Sequence, residues 1–132
     1  MPSIDTNIVL RLLLRDAPDQ LDKVNTLIDG AGQNSLAVAD AVFLECVWIL
    51  SGKMYGFDRE LIAKLLLQVA DMPQVNCNRA MLEKALPLYV KHTKISFIDA
   101  CLSVYAELNN AQPLLTFDKK LALAMPQTVT GL

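Results

Sequence analysis

Short apolar runs alternate along the chain with longer stretches in which apolar residues return every three or four positions. That is the pattern of strands alternating with amphipathic helices. Pro2 to Ile4 reads as a minimal first strand ending at Asp5. Asp5 or Thr6 then caps a helix to about Leu14, with Ile8, Val9, Leu12 and Leu13 on its apolar face. Asp16-Ala17-Pro18 restarts the helix, because an Asp cap followed by an early proline is a start signal, and Gly30 and Gly32 stop it. Ser35 to Ala39 is a second strand, after which Asp40 caps a strongly apolar helix holding Val42, Phe43, Val47, Trp48 and Ile49 as far as Gly52.

The same alternation continues. Asp58 caps a helix to about Asp71, Gln74 to Cys77 is a short strand, and Asn78 caps a helix to about Lys91. Ser96 caps the next, to about Asn109, with Asn109-Asn110 and Pro113 marking the turn out of it. Leu114 to Phe117 is a strand, a short helix follows from Asp118, and a last strand lies near Thr128 to Thr130. This order predicts an α/β fold, a three-layer α/β/α sandwich with a central, mostly parallel sheet of about five strands. No repeat, low-complexity tract or linker divides it, so residues 1–132 are expected to form one domain. In open sheets of this kind, sites lie beyond the carboxyl ends of the strands.

Composition narrows the class. A chain of 132 residues supports one core without staples, and 53% hydrophobic residues exclude disorder and leave apolar surface over for a partner. The charge-free stretch from Leu121 to Leu132 contains Pro126 and Gly131, so nothing approaches a membrane span. No basic region followed by an apolar block opens the chain, so no secretory signal is expected. Cys46, Cys77 and Cys101 show no CxxC spacing and sit in apolar runs, which reads as reduced thiols in a cytoplasmic protein. His92 is the one histidine, which removes mechanisms needing two imidazoles and any His-cluster zinc site. Catalysis, if present, falls to carboxylates.

Four acids stand out by position. Asp5 follows the first strand, Asp118 follows the strand from Leu114, and Asp99 lies in the first turn of the helix opened by Ser96. Glu45 sits one turn into the helix after the second strand, among Phe43, Leu44, Cys46, Val47 and Trp48. An acid buried in such a face is costly unless it is paired or bound to metal. Together the four would make an oxygen-only pocket suited to a hard divalent cation such as Mg²⁺ or Mn²⁺. Each has a plainer reading. Asp5 and Asp118 also suit helix caps, Asp99 the acidic member of a Ser96-x-x-Asp99 capping box, and Glu45 a solvent-facing position at a helix edge.

Asp5-Thr6-Asn7-Ile8-Val9-Leu10-Arg11 resembles the opening motif of PIN-domain proteins. Phe43-Leu44-Glu45, Phe97-Ile98-Asp99-Ala100 and Thr116-Phe117-Asp118-Lys119-Lys120-Leu121 resemble the next three, in the same order and with the acids 40, 54 and 19 residues apart. The chain looks most like the VapC-type toxins, the ribonuclease halves of toxin–antitoxin pairs, and the resemblance covers nearly its whole length. It implies that Asp5, Glu45, Asp99 and Asp118 form the acidic, metal-binding site, with Asn7 and Thr116 in support, and that Mg²⁺ or Mn²⁺ is the cofactor. Many such toxins carry a further acid three residues before the third motif's Asp, and here that position is Ser96. The resemblance also implies a small antitoxin protein (VapB-like) as partner, and a homodimer is expected.

RNA needs positive charge, and the overall formal charge is −2. Setting the four acids aside leaves 12 basic residues against ten acidic ones, so the remaining surface is mildly basic. Arg11, Arg15, Lys94, Lys119 and Lys120 lie near the motif ends as candidate phosphate contacts, against the plainer reading of a solvated face. The apolar surplus, including Val9, Leu12, Leu13, Val47, Trp48, Ile49, Tyr55 and Phe57, divides between core and a partner groove, with Trp48 and Tyr55 the better interface candidates. A haloacid-dehalogenase-like phosphatase needs an Asp where Asn7 stands, and no GxxxxGK phosphate loop occurs. The rival reading is a catalytically weak PIN-like module that binds protein.

Overall fold

A carboxylate opens the first helix. In the computed structural model, which describes residues 1–132, Asp5 holds an extended backbone and its Oδ1 accepts the Ile8 N–H at 3.1 Å, starting α1 (Thr6–Leu14). One of the four amide donors left orphaned at a helix start is thereby satisfied. Arg15 closes the helix in the left-handed region at φ 53°. The chain reverses into α2 (Pro18–Gly30), and here the expectation of an Asp16 cap fails. Ala17 is the cap residue and offers no side-chain acceptor, while Asp16 pairs with Arg11 at 2.9 Å. Pro18 needs no partner for the amide hydrogen it lacks, so the helix starts without the acid.

The chain forms two compact units, Met1–Arg79 and Ala80–Leu132. In the first, β1 (Leu36–Val38) leads into α3 (Asp40–Ser51), then α4 (Arg59–Ala70), β2 (Val75–Cys77) and the first residue of α5 (Arg79–Lys91). β1 and β2 pair in parallel, with Leu36 beside Val75 and Val38 beside Cys77. Ala37 is bridged on its other side by Ser3, through Ile4 N–H to the Ala37 carbonyl and Ala37 N–H to the Pro2 carbonyl, both 2.9 Å. The predicted first strand is thus one bridge long, because α1 begins three residues later. Asp40 was expected to cap α3, but Ala39 takes that position, and Asp40 accepts a hydrogen bond from Asn78 Nδ2 at 3.3 Å. Asp58 does cap α4, accepting from Leu61 N–H at 2.8 Å. Val9, Phe43, Cys46, Leu50, Ile62 and Leu66 are fully buried and form the centre of this core.

In the second unit, α5 continues to Lys91 despite Pro87 in its interior. α6 (Phe97–Leu108) follows, then β3 (Leu114–Thr116), α7 (Lys119–Ala124) and β4 (Val129–Gly131). β3 and β4 pair in parallel, Leu114 beside Val129 and Thr116 beside Gly131, with α7 packed on both strands. Leu82, Leu86, Ala100, Val104 and Leu121 are buried, and Tyr89 meets Phe97 edge to face at 5.5 Å. The chain is therefore α/β, with seven helices and parallel strands. Its extended segments pair as a group of three, counting the Ser3 bridge, and a group of two, where the sequence predicted one sheet of about five. No helix is long and apolar enough to cross a membrane.

All three cysteines are free thiols. Burial pushes the Cys46 thiol up from 9.0 to about 12, helped by the neighbouring Glu45 charge. Burial also raises Cys77, with Arg79 opposing and Asp40 and Asp71 adding to the rise.

Phe43→Ala and Leu66→Ala are each expected to cost about 3–5 kcal/mol in denaturant unfolding, since both side chains are fully enclosed. Trp48→Ala, at a side chain 79% exposed, should change stability by about 0.5 kcal/mol or less. Cys46 should resist alkylation at pH 8 until the chain is unfolded. The unfolded thiol ionises near 9.0 and the folded one near 12, so the unfolded chain binds fewer protons in that window. Stability should consequently fall as pH rises through it, with a shallower fall in Cys46→Ala. An equal alkaline slope in both proteins would contradict this.

Candidate functional site

Three of the four acids start helices, and each does so with a single oxygen. Asp5 Oδ1 accepts from Ile8 N–H at the start of α1. Asp99 Oδ2 accepts from Ser96 N–H at 3.2 Å while Ser96 Oγ accepts from Asp99 N–H at 3.0 Å, a complete capping box opening α6. Asp118 Oδ1 accepts from both Lys120 N–H at 2.9 Å and Leu121 N–H at 3.2 Å, opening α7. In each case the second carboxylate oxygen makes no hydrogen bond or ion pair. The plainer reading of these residues as caps is therefore correct, and it does not exclude the functional one. A cap fixes the carboxylate's orientation and leaves one hard oxygen donor free.

The supporting residues divide. Thr116 Oγ1 accepts from Asp118 N–H at 2.9 Å, so the last residue of β3 fixes the backbone that carries the acid. Ser96 serves Asp99 through the capping box and leaves no acid at that position. Asn7 is exposed one residue into α1 and lines a cleft of about 340 Å³ with Asp5. Glu45 departs from the burial considered for it. Its side chain is exposed on α3 while Cys46 and Val47 beside it are buried, so the acid carries no burial cost and needs no partner to offset one. Its charge is still felt by the Cys46 thiol.

Within the first unit, Asp5 and Asn7 share their cleft with Arg11 of α1 and with Gln20, Lys23 and Leu27 of α2. Arg11 was expected to be available for phosphate. Instead its guanidinium is held by Asp16, and its Nε is buried without a partner. Lys23 and Gln20 were missed from sequence. They share one α2 face with Val24 and Leu27 at i, i+3, i+4 and i+7, a spacing that would have shown the face had its polar members been weighed with the apolar ones. Lys119 and Lys120 are exposed in the first turn of α7, directly after Asp118. No three or more His, Cys, Asp or Glu side chains are gathered as a ready metal-binding group. The free oxygens of Asp5, Asp99 and Asp118, with exposed Glu45, are nonetheless all hard donors, which is the chemistry Mg²⁺ and Mn²⁺ require.

No curated protein sequence matches the chain. Comparison with protein families matches the PIN domain over residues 3–124. The matched span runs through both units and includes Asp5, Glu45, Asp99 and Asp118. A match of that extent places the chain in the PIN-domain family, whose members are in general nucleases.

Proposed function

We propose that this protein is a metal-dependent endoribonuclease and the toxin of a toxin–antitoxin pair, working in the cytoplasm, with Asp5, Glu45, Asp99 and Asp118 as its catalytic acids. The observation that carries the reading is the shared geometry of the three aspartates, each tethered through one oxygen and free at the other. Such tethering lowers the cost of organising ligands before substrate arrives. Because the family match runs through both units, we read residues 1–132 as one PIN-like domain of the three-layer type.

When bound, Mg²⁺ or Mn²⁺ supplies charge neutralisation at the phosphate and makes water more acidic. The chain's own part begins with Asp5, Asp99 and Asp118, which offer their free oxygens as ligands. The exposed Glu45 carboxylate orients a water and takes its proton as the water oxygen attacks phosphorus in line. The scissile P–O bond then breaks and the departing ribose oxygen takes a proton from solvent. Thr116 keeps Asp118 in position through its hydroxyl, and Ser96 does the same for Asp99. Lys119 and Lys120 offer charge for RNA phosphates next to Asp118, and Lys23 with Asn7 extends the polar surface beside Asp5. Arg11, committed to Asp16, supports that wall of the cleft.

The toxin reading adds a small VapB-like antitoxin and a homodimer. Trp48 at 79% exposure, with Ile98, Leu102 and Tyr105 exposed along one face of α6, supplies apolar surface for such partners. The same surface is what a catalytically weak binding module would use, so cleavage decides between the two.

Purified protein should cut RNA with Mg²⁺ or Mn²⁺ and stop on addition of EDTA. Asp5→Asn and Asp99→Asn test the aspartates in a way that separates capping from chemistry, because Asn keeps an oxygen that accepts the helix-start amide, at the N-cap for Asp5 and in the capping box for Asp99. Each is expected to leave the unfolding midpoint nearly unchanged and to lower kcat by at least about 100-fold. Activity retained by either variant with an intact fold would reduce the aspartates to caps. Lys119→Gln with Lys120→Gln should flatten the slope of log affinity against log salt by about one to two units, measured on single-stranded RNA. An unchanged slope would remove both lysines from the interface.

A further inference from the structure

Within Ala80–Leu132, a cleft of about 550 Å³ opens at the amino ends of β3 and β4. Gln112 and Thr128, which line it, lie just ahead of those strands, whereas Asp118 follows the carboxyl end of β3. Neither Asp99 nor Asp118, the two acids that the cleavage reading uses in this unit, lines the cleft, although Asp99 stands one turn ahead of Ser103 on α6. Its volume falls in the range of small-molecule sites.

Ser103 gives the cleft a specific demand. It lines the wall from the middle of α6, is only 7% exposed, and its Oγ has no protein partner. A helical serine ordinarily returns its hydroxyl to a carbonyl one turn back, and a buried hydroxyl without a partner is costly. A ligand atom that both accepts and donates would satisfy it. Besides His92 and Thr128, three kinds of group line the cleft with Ser103. Gln112 and Gln127 each bring a primary amide, a paired donor and acceptor that matches the edge of a nucleobase. Leu88 and Met125 bring apolar surface for its flat face. Lys91, exposed at the end of α5, brings a cation at the rim, and the one carboxylate of the lining, Glu107, is already paired with Lys84 at 3.0 Å.

A planar polar ring carrying a phosphate answers all three. We propose that this cleft binds a nucleoside monophosphate, its base read by Gln112 and Gln127 over Ser103 and its phosphate held by Lys91. The inference does not rest on the cleavage reading, since no acid of that site takes part.

The test is titration of AMP, GMP, CMP and UMP into the full chain in EDTA, followed by calorimetry and by backbone amide shifts. EDTA keeps metal away from the acidic residues, so inactivity toward RNA has no bearing on the result. Saturable binding of at least one nucleotide is expected, with shifts at residues 103, 112 and 127, and Lys91→Gln should weaken it about tenfold. Ser103→Ala should weaken binding while leaving thermal stability equal or higher, because it removes an unsatisfied hydroxyl. Absence of saturable binding by all four would overturn the proposal. So would affinity unchanged in both variants, or inorganic phosphate binding as tightly as the nucleotide.

Discussion

The carboxylate at a helix start is the interaction on which the rest of this molecule depends. Asp5 after the Ser3 bridge and Asp118 after β3 cap α1 and α7, and in α6 Asp99 accepts from Ser96 N–H to complete the capping box. At Asp5 and Asp118 a single side chain thus joins one element to the next and fixes its own direction. Each aspartate's charge is partly offset by the positive end of the helix it starts. Glu45 has no cap to offset it, and it is exposed to water.

The core supplies the complementary constraint. In Met1–Arg79, Phe43, Cys46, Val47 and Leu50 turn one face of α3 inward, while Glu45 and Trp48 lie on the other. The border between those faces falls between adjacent residues, and the Cys46 thiol registers it: burial and the Glu45 charge act on it in the same direction. An acid beside a buried thiol makes the thiol a poor nucleophile and a stable core residue. The charge on α3 is accordingly confined to its exposed edge.

Much of the fold was legible because the helix signals were redundant. Asp58, Ser96 and Asp118 were each identified as caps from residue type and from the apolar run that follows, and each makes its predicted bond. Asp16 and Asp40 carried the same residue type and failed. In both cases another side chain competes for the carboxylate, Arg11 five residues from Asp16 and Asn78 far along the chain from Asp40, and a pattern of cap residues does not contain that competition. Pro18 and Ala39 could open their helices unaided, so nothing was lost by the diversion. The exposure of Glu45 was equally hidden, since α3 is apolar nearly all round and its sequence does not mark which side faces water.

At the acids, sequence posed capping and function as alternatives because it assigns one role to one residue, whereas a carboxylate has two oxygens. Asp5, Asp99 and Asp118 divide them, one for the backbone and one left over. A residue present only as a cap is replaceable by Ser, Thr or Asn at little cost. A residue that must also offer a second, negatively charged oxygen is not. The second oxygen of Asp5, Asp99 and Asp118 is thus a feature that capping alone does not use. Ser96 shows the contrast within one turn, because its hydroxyl satisfies the amide of Asp99 fully and the capping box asks nothing more of it.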